Sequence, residues 1–294
     1  KGYEMICPYC TSGITEVAKN SETNDQYKCK SCGKIFYAPN ESLVTEEPCM
    51  DIEPGKVLKV SYDKAIKIHC ATDVHHGAKE HHYDKFNELI EEVDSDPDAR
   101  WFLNGDNIEF IPPNYKISQR GQVMEPDEQH LTFIKRIEKI ADKLLFIRGG
   151  NHDMTRSVNI LGVDVCKLLA DRLMVPYFRM PGYSEIQIKD RKWYMVSGHG
   201  KSGAKNGDLE LDKMAAVYSD GDVFLLGHNH QLYAKPIDSV MVDGDEERLH
   251  RRWYCRGGSF LKYADYARYS FFPIVRAGWV TIEFCEKEIK TWTN

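Results

Sequence analysis

Residues 144–153 read LLFIRGGNHD. An apolar run with the character of a buried strand stops at Gly149 and Gly150. It then delivers Asn151, His152 and Asp153, three side chains that can each hold a metal or meet a phosphate. Four other segments repeat the design: CATDVHHG (70–77), FLNGDNIE (102–109), MVSGHG (195–200) and FLLGHNH (224–230). Each places a carboxylate, amide or imidazole at the exit of an apolar strand, beside Gly or Asp. One such His or Asp is ordinarily a cap or a turn residue. Five in one chain exceed that explanation, and the two histidines flanking Asn229 have no packing use. In α/β sheets the carboxyl ends of strands are where sites are built. Asp, His and Asn together suit divalent ions with open positions for water and a phosphate.

Around these exits the pattern alternates. AIKIHCATD (65–73) reads as a strand, and KEHHYDKFNELIEEV (79–93) as an amphipathic helix with Phe86, Leu89, Ile90 and Val93 on one face. RWFLNGD is a strand, EPDEQHLTFIKRIEKIADK a helix, LLFIRGG a strand and GVDVCKLLADRL a helix. Strands and helices in alternation predict βαβ units and a mostly parallel sheet. Later, YSEIQIKD and KWYMVSGHG suggest a hairpin, DLELDKMAAVYS a helix, and RLHRRWYC and IVRAGWVTIEF further strands. His81 and His82, just before the first helix, read as solvated.

The N-terminal part has another chemistry. Cys7 and Cys10, then eighteen residues, then Cys29 and Cys32 give two C-x₂-C pairs. This spacing lets four thiolates surround one tetrahedral Zn²⁺ with no open position, so the expected site is structural. A redox C-x-x-C needs no second pair. Residues 1–37 are therefore expected to form a zinc ribbon, residues 38–64 (with Pro39, Pro48 and Pro54) a linker, and residues 65–294 the main domain. The other five cysteines are scattered among apolar neighbours and read as buried small hydrophobes.

The 294 residues are 42% hydrophobic and 29% charged, as in an ordinary soluble protein, and the net charge is −6. No apolar run approaches the ~20 residues of a membrane helix. With no apolar leader at Lys1, the expectation is a cytoplasmic protein without membrane attachment.

The five motifs, D-x-H, G-D-x-x-(D/E/N), G-N-H-(D/E), G-H and G-H-x-H in that order over residues 66–235, resemble the calcineurin-like metallophosphoesterases. The run from GNHD through GHNHQ to GGSF also looks like uncharacterised phage and bacterial members. The resemblance implies an α/β fold: a β-sandwich flanked by helices, with a two-metal site at the strand ends. It implies that Asp73, His75 and His230 hold one ion, that Asp106 bridges, and that Asn151, His199 and His228 hold the other. The ions would be Mn, Fe, Zn or Ni. It implies that His152 faces the phosphate as a proton donor, oriented by Asp153, and that Gly149 and Gly150 let the backbone turn beside that phosphate. Glu109 stands where an Asp is more usual, an exchange expected to lie behind the ligands and to be harmless. Protein phosphatases of the superfamily carry Asp-Arg-Gly after the second motif and G-N-H-E at the third. GDNIEF and GNHD differ, so that substrate class is disfavoured.

For the substrate, residues 248–268 supply six Lys and Arg, including Arg251, Arg252 and Arg256, against one acid, with aromatics interleaved. Cations with aromatic faces suit nucleic acid, and a hairpin with one packed face is the plainer alternative. The leading expectation is a phosphodiesterase acting on DNA or RNA. Beside it stand a small-molecule or cyclic-nucleotide phosphodiesterase and, from another class, a non-catalytic metal-binding module.

Overall fold

A computed structural model describes residues 16–18, 26–28, 35–37 and 51–294, except 114, 116–118, 202–206, 264–268 and 270–273. The chain divides into two compact units, Lys1–Pro48 and Cys49–Asn294. In the first, β1 (Glu16–Ala18), β2 (Gln26–Lys28) and β3 (Ile35–Tyr37) form an antiparallel sheet in that order. Cys7, Cys10, Cys29 and Cys32 lie outside the described residues, so the expected zinc site does too.

The second unit is two six-stranded sheets. The strands of the first are β5 (Ile66–Ala71), β6 (Ala99–Asn104), β7 (Leu144–Arg148), β8 (Tyr177–Phe178), β14 (Val280–Phe284) and β15 (Ile289–Thr293). Their order is β15-β14-β5-β6-β7-β8, and β5 through β8 run parallel. The second sheet holds β4 (Leu58–Tyr62), β9 (Gly182–Ile188), β10 (Arg191–Gly198), β11 (Val223–Leu226), β12 (Leu232–Asp243) and β13 (Glu246–Gly257), in the order β12-β13-β11-β10-β9-β4. β9 and β10 form the expected hairpin, and β10, β11 and β13 run parallel.

Strand alternation explains the layers, because successive side chains point to opposite faces. On β6, Phe102 faces inward and meets Ile68, Phe146, Ile186, Met195, Val223 and Leu225 between the two sheets. Its neighbours Trp101 and Leu103 face outward. There they pack under α1 (Tyr83–Ser95), α2 (Pro126–Ile137) and α4 (Val165–Leu173), through Phe86, Leu89 and Val93, Phe133 and Ile137, and Leu169. The outer face of the second sheet, with Val196, Phe224 and Tyr254, is covered by Leu211 and Met214 of α5 (Asp208–Val217). The short α3 (Ser157–Leu161) completes the helices. Each burial of such a side chain is worth ~1.5–3 kcal/mol of hydrophobic stabilisation. The architecture is therefore helices on either side of a β-sandwich, as expected. No helix among the described residues is long and apolar enough to cross a membrane.

Three local expectations change. The stretch 38–64 is not all linker, since the larger unit starts at Cys49 and β4 pairs with β9 along its length. The helix expected over 125–143 breaks at Ile140 (φ −119°, ψ 15°), where the Ile140 carbonyl turns to accept from Trp101 Nε1 at 2.9 Å. His81 is not solvated: it is buried, with Nδ1 on the Val74 carbonyl at 2.7 Å. His82 does cap α1, accepting from Lys85 N. Cys70, Cys166 and Cys255 are buried as expected, whereas Cys285 is half-buried.

Candidate metal centre

The five polar strand exits converge. β5, β6 and β7 end side by side in one sheet, and β10 and β11 end side by side in the other, so all five loops leave from one end of the sandwich. Backbone bonds zip them together: Asp73 N to Gly105 O, His75 N to Asp106 O, and Gly227 N to His199 O, at 2.8–3.0 Å. Holding side chains this way strains the backbone. Asp73, His75, Asp106, His228 and His230 all have φ between 48° and 69°. A left-handed conformation costs a non-glycine residue ~1–2 kcal/mol, and such outliers persist where the surroundings over-determine them.

Three overlapping groups result, each with ligand atoms within 4.8 Å of one another: Asp73, His75 and His230; His75, Asp106 and His152; Asp106, His199 and His228. His230 Nε2 lies 3.4 Å from Asp73 Oδ1, and His199 Nε2 lies 3.2 Å from Asp106 Oδ2. Asp106 Oδ2 also lies 4.0 Å from His75 Nε2, between the two outer groups. Asn151 Oδ1 is 2.8 Å from His228 Nδ1 and 3.2 Å from His199 Nε2.

Other groups decide which atoms face inward. Asp73 Oδ2 accepts from Thr72 Oγ1 and His228 N, leaving Oδ1 turned to the histidines. His199 Nδ1 donates to the Asn104 carbonyl at 2.9 Å, and His75 Nδ1 donates to Glu109 Oε2 at 2.8 Å. Each bond fixes a tautomer with Nε2 free for the centre, as metal-ligating histidines require. Asp73 Oδ1 and His75 Nε2 are buried and have no hydrogen-bond partner. An orphaned polar atom in such a place is costly. Two of them, an acceptor oxygen and a ring nitrogen facing each other at 3.9 Å, fit divalent cations.

Electrostatics agree. Burial alone would raise the Asp106 carboxyl, but His199 and His152 outweigh it and hold it well below the usual carboxylate range. Burial likewise pushes Glu109 up, and its bonds to His152 and His75 bring it down to about 2. Glu109 thus stands as an anion behind two imidazoles. Its Oε2 is 2.8 Å from His75 and 3.4 Å from His152, and its carbonyl takes His152 Nδ1 at 3.0 Å. His152 is the more open of the two, its side chain 18% exposed against 4% for His75.

Asp153 does not orient His152. Its Oδ1 accepts from Gly150 N, and its Oδ2 accepts from the backbone and side-chain nitrogens of Asn107, each at 2.7 Å. It clamps the third loop to the second. Burial, with Asp106 nearby, pushes its carboxyl upward. The reason for the glycines also differs. Gly150 has ordinary negative φ, but its Cα approaches Asp106 too closely for any side chain. Asn104, Asn107 and Arg148 went unread. Arg148, at the end of β7, is buried and donates to Asn104 Oδ1, Ser197 Oγ and the Met180 carbonyl. An arginine closing an apolar strand was the available signal.

The basic stretch is split: Phe260 N donates to the Asp73 carbonyl at 3.0 Å, but the arginines at 251 and 252 are not at this end. Gly257 of β13 packs against Thr72 beside the centre, but Arg251 lies six residues back along the strand, roughly 20 Å at ~3.3 Å per residue. Arg251 is exposed and binds Asp238 through two bonds of 2.8 and 2.9 Å. Arg252 donates to the Ser219 carbonyl. Arg256 is close to the centre but is fully buried, donating to the carbonyls of Gly227 and Gly207 and to Glu210. It braces the loop that carries His228 and offers no surface to a substrate. Arg268 lies outside the described residues.

No family model matches the chain, and no curated protein sequence matches it. Among solved structures, a single mutant of Vps29 from Entamoeba histolytica is similar over 78% of this chain and 91% of its own, at 13% identity and a TM-score of 0.42. Vps29 from Cryptosporidium parvum is similar over 79% and 98%, at 13% identity and TM-score 0.41. A conserved uncharacterised protein from Streptococcus pneumoniae, titled a predicted phosphoesterase, is similar over 78% and 98%, at 14% identity and TM-score 0.35.

Proposed function

We propose that this chain is a metal-dependent phosphoesterase with a binuclear centre: Asp73, His75 and His230 on one side, Asn151, His199 and His228 on the other, and Asp106 shared. The observation that carries this reading is the pair of orphaned atoms, Asp73 Oδ1 and His75 Nε2, within overlapping carboxylate and imidazole groups that share Asp106. Divalent ions bound there would supply Lewis acidity and a hydroxide at neutral pH. The donor set is mixed oxygen and nitrogen with no thiolate, which suits Mn, Fe, Ni or Zn.

The chain's own residues do the rest. His152 is more open to solvent than His75, and the Glu109 carbonyl holds its Nδ1–H so that Nε2 faces the centre, 4.0 Å from Asp106 Oδ2. It is placed to give a proton to a leaving oxygen, and a donor there is worth ~10²–10⁴-fold in rate. Glu109 orients His75 and His152 together.

At the level of substrate the proposal is a phosphoester, with a nucleic-acid diester as the finer reading. The arginines at 251 and 252 no longer argue for it, because they lie at the far end of the sheet. A panel of single-stranded DNA, RNA, cyclic nucleotides and simple mono- and diesters, each assayed with Mn²⁺, tests both levels. Turnover of any of them supports the coarse reading, and the rank order decides the fine one.

A further inference from the structure

Beyond β11 the β12–β13 hairpin continues with no further strand beside it among the described residues. β11 pairs with β13 only at Trp253–Arg256, so Glu246–Arg252 pair with Ile237–Asp243 and no described strand extends the sheet there. Every described side chain from Val240 to Leu249 is exposed. These include Val240 at 65%, Val242 at 76% and Leu249 at 65%. A free two-stranded ribbon is at best marginally stable in water, and clustered exposed apolar side chains mark surfaces that meet something. The ribbon turns at Gly244, whose φ of +66° suits glycine. Its tip is acidic, with Asp245, Glu246 and Glu247 in succession.

Between this arm, as far out as Val242, the start of β10 and the turn before β15 lies a cleft of about 770 Å³. Its floor includes Trp193 and Trp253. Six Lys and Arg line it against four acids. Two on each side are already engaged: Asp222 with Tyr194 N and His250 and Glu286 with Lys189 at 2.7 Å, and Arg251 with Asp238 and Lys192 with Glu185 at 3.0 Å, so the excess of two cations stands. The cleft is therefore cationic with an apolar floor, and the tip is anionic with apolar flanks. The arm cannot fill its own cleft, because the arm is one wall of it.

We propose that the chain forms a two-fold dimer in which the tip of each arm enters the cleft of the other copy. One chain carries both halves of the complementary pair. A reciprocal exchange about a two-fold axis satisfies both at once and closes, leaving neither half for a third copy. The proposal is independent of the reading of the metal centre, and its test does not use activity.

The test is the mass of the full chain in solution by light scattering at low and high salt, on wild type and on two charge-reversed variants. Asp245→Lys/Glu246→Lys/Glu247→Lys leaves Asp243 as the one acid among three Lys and so reverses the tip. Arg191→Glu/Lys287→Glu reverses the exposed rim of the cleft. Wild type is expected at twice 33.9 kDa at low salt, and each variant alone at 33.9 kDa. Mixing the two variants should restore the doubled mass, since the reversed tip then faces the reversed cleft and the native tip the native cleft. Unchanged circular dichroism would show that both variants fold. A monomeric wild type at low salt, a tip-reversed variant that still dimerises, or a mixture that stays monomeric would each overturn the proposal.

Discussion

A β-carbon on Gly150 would lie 2.1 Å from Asp106 Oδ1. The third loop therefore reaches the shared carboxylate only because residue 150 has no side chain. His152 N then donates to the same oxygen at 2.8 Å, which leaves Oδ2 for the centre. Gly150→Ala must push Asp106 or the loop aside. Affinity for divalent ions should fall by at least the ~10–100-fold seen when a ligand's support is removed. Titration calorimetry with Mn²⁺ measures it, and unchanged affinity would show that the contact is slack.

His152→Ala should keep both ions and slow an alkyl or nucleotide diester by ~10²–10⁴-fold, the usual worth of a proton donor. A p-nitrophenyl ester, whose leaving group hardly needs the proton, should slow far less. Because His152 also lies in a group with His75 and Asp106, metal content must be measured beside the rates. Loss of an ion would make it a ligand instead.

Glu109→Ala removes the anion behind His75 and His152 together. The His75 ring loses its only bond at Nδ1, whereas the backbone carbonyl at 109 still holds His152, so metal affinity should fall by ~10–100-fold and turnover with it. Glu109→Gln, which keeps an acceptor oxygen, should recover part of both. If Glu109→Ala leaves metal affinity intact, the bond to His75 carries no orientation.

Acid should unfold the larger unit through buried histidines that are not among the proposed ligands. Burial lowers His69 from 6.5 to about 4 and His81 from 6.5 to about 3. Both are inside, so the folded state holds them neutral while the unfolded chain protonates them near pH 6.5. The unfolded state then binds more protons, and stability falls as pH falls. Their contribution is complete above pH ~6.5 and is lost progressively down to pH ~4 and ~3. At ~1.36 kcal/mol per pH unit, His69 alone accounts for on the order of 3 kcal/mol. Thermal midpoints should drop over that interval, and His69→Gln should flatten the drop. A wild-type midpoint constant from pH 6.5 to about 4.5 contradicts this.

The ribbon zinc is testable in the full chain. Cys29→Ser/Cys32→Ser should contain one zinc fewer than wild type by elemental analysis. Equal contents would remove the ribbon metal.

The sandwich and the convergence of five loops were legible because both write themselves locally. Apolar runs alternate with 3.6-period helices, and a polar ligand after a buried strand stands out against its neighbours. What was missed depends on partners distant in sequence. β4 is an edge strand whose LKVSY alternates between prolines and acids, so it resembles linker until β9 pairs with it. His81 looks solvated beside another histidine, yet the Val74 carbonyl and the ring of Tyr83, 4.2 Å away, enclose it. The arginines at 251, 252 and 256 look like one patch. The strand's alternation and the place where β11 begins split them into two exposed or half-buried residues on an arm and one buried brace. Asp153 resembles a partner for His152, but its bonds to Gly150 and Asn107 exist only once β6 and β7 lie side by side.

The most direct test of the central claim is hydrolysis of bis-p-nitrophenyl phosphate and p-nitrophenyl phosphate by chelator-stripped full chain as Mn²⁺ is added back. The account predicts no turnover without metal, turnover that rises with Mn²⁺ and saturates, and none at any Mn²⁺ concentration for Asp106→Asn. A wild-type protein that binds Mn²⁺ and still hydrolyses neither ester, with Mn²⁺ or with Fe²⁺, Ni²⁺ or Zn²⁺ in its place, would contradict it and leave a metal-binding module without catalysis.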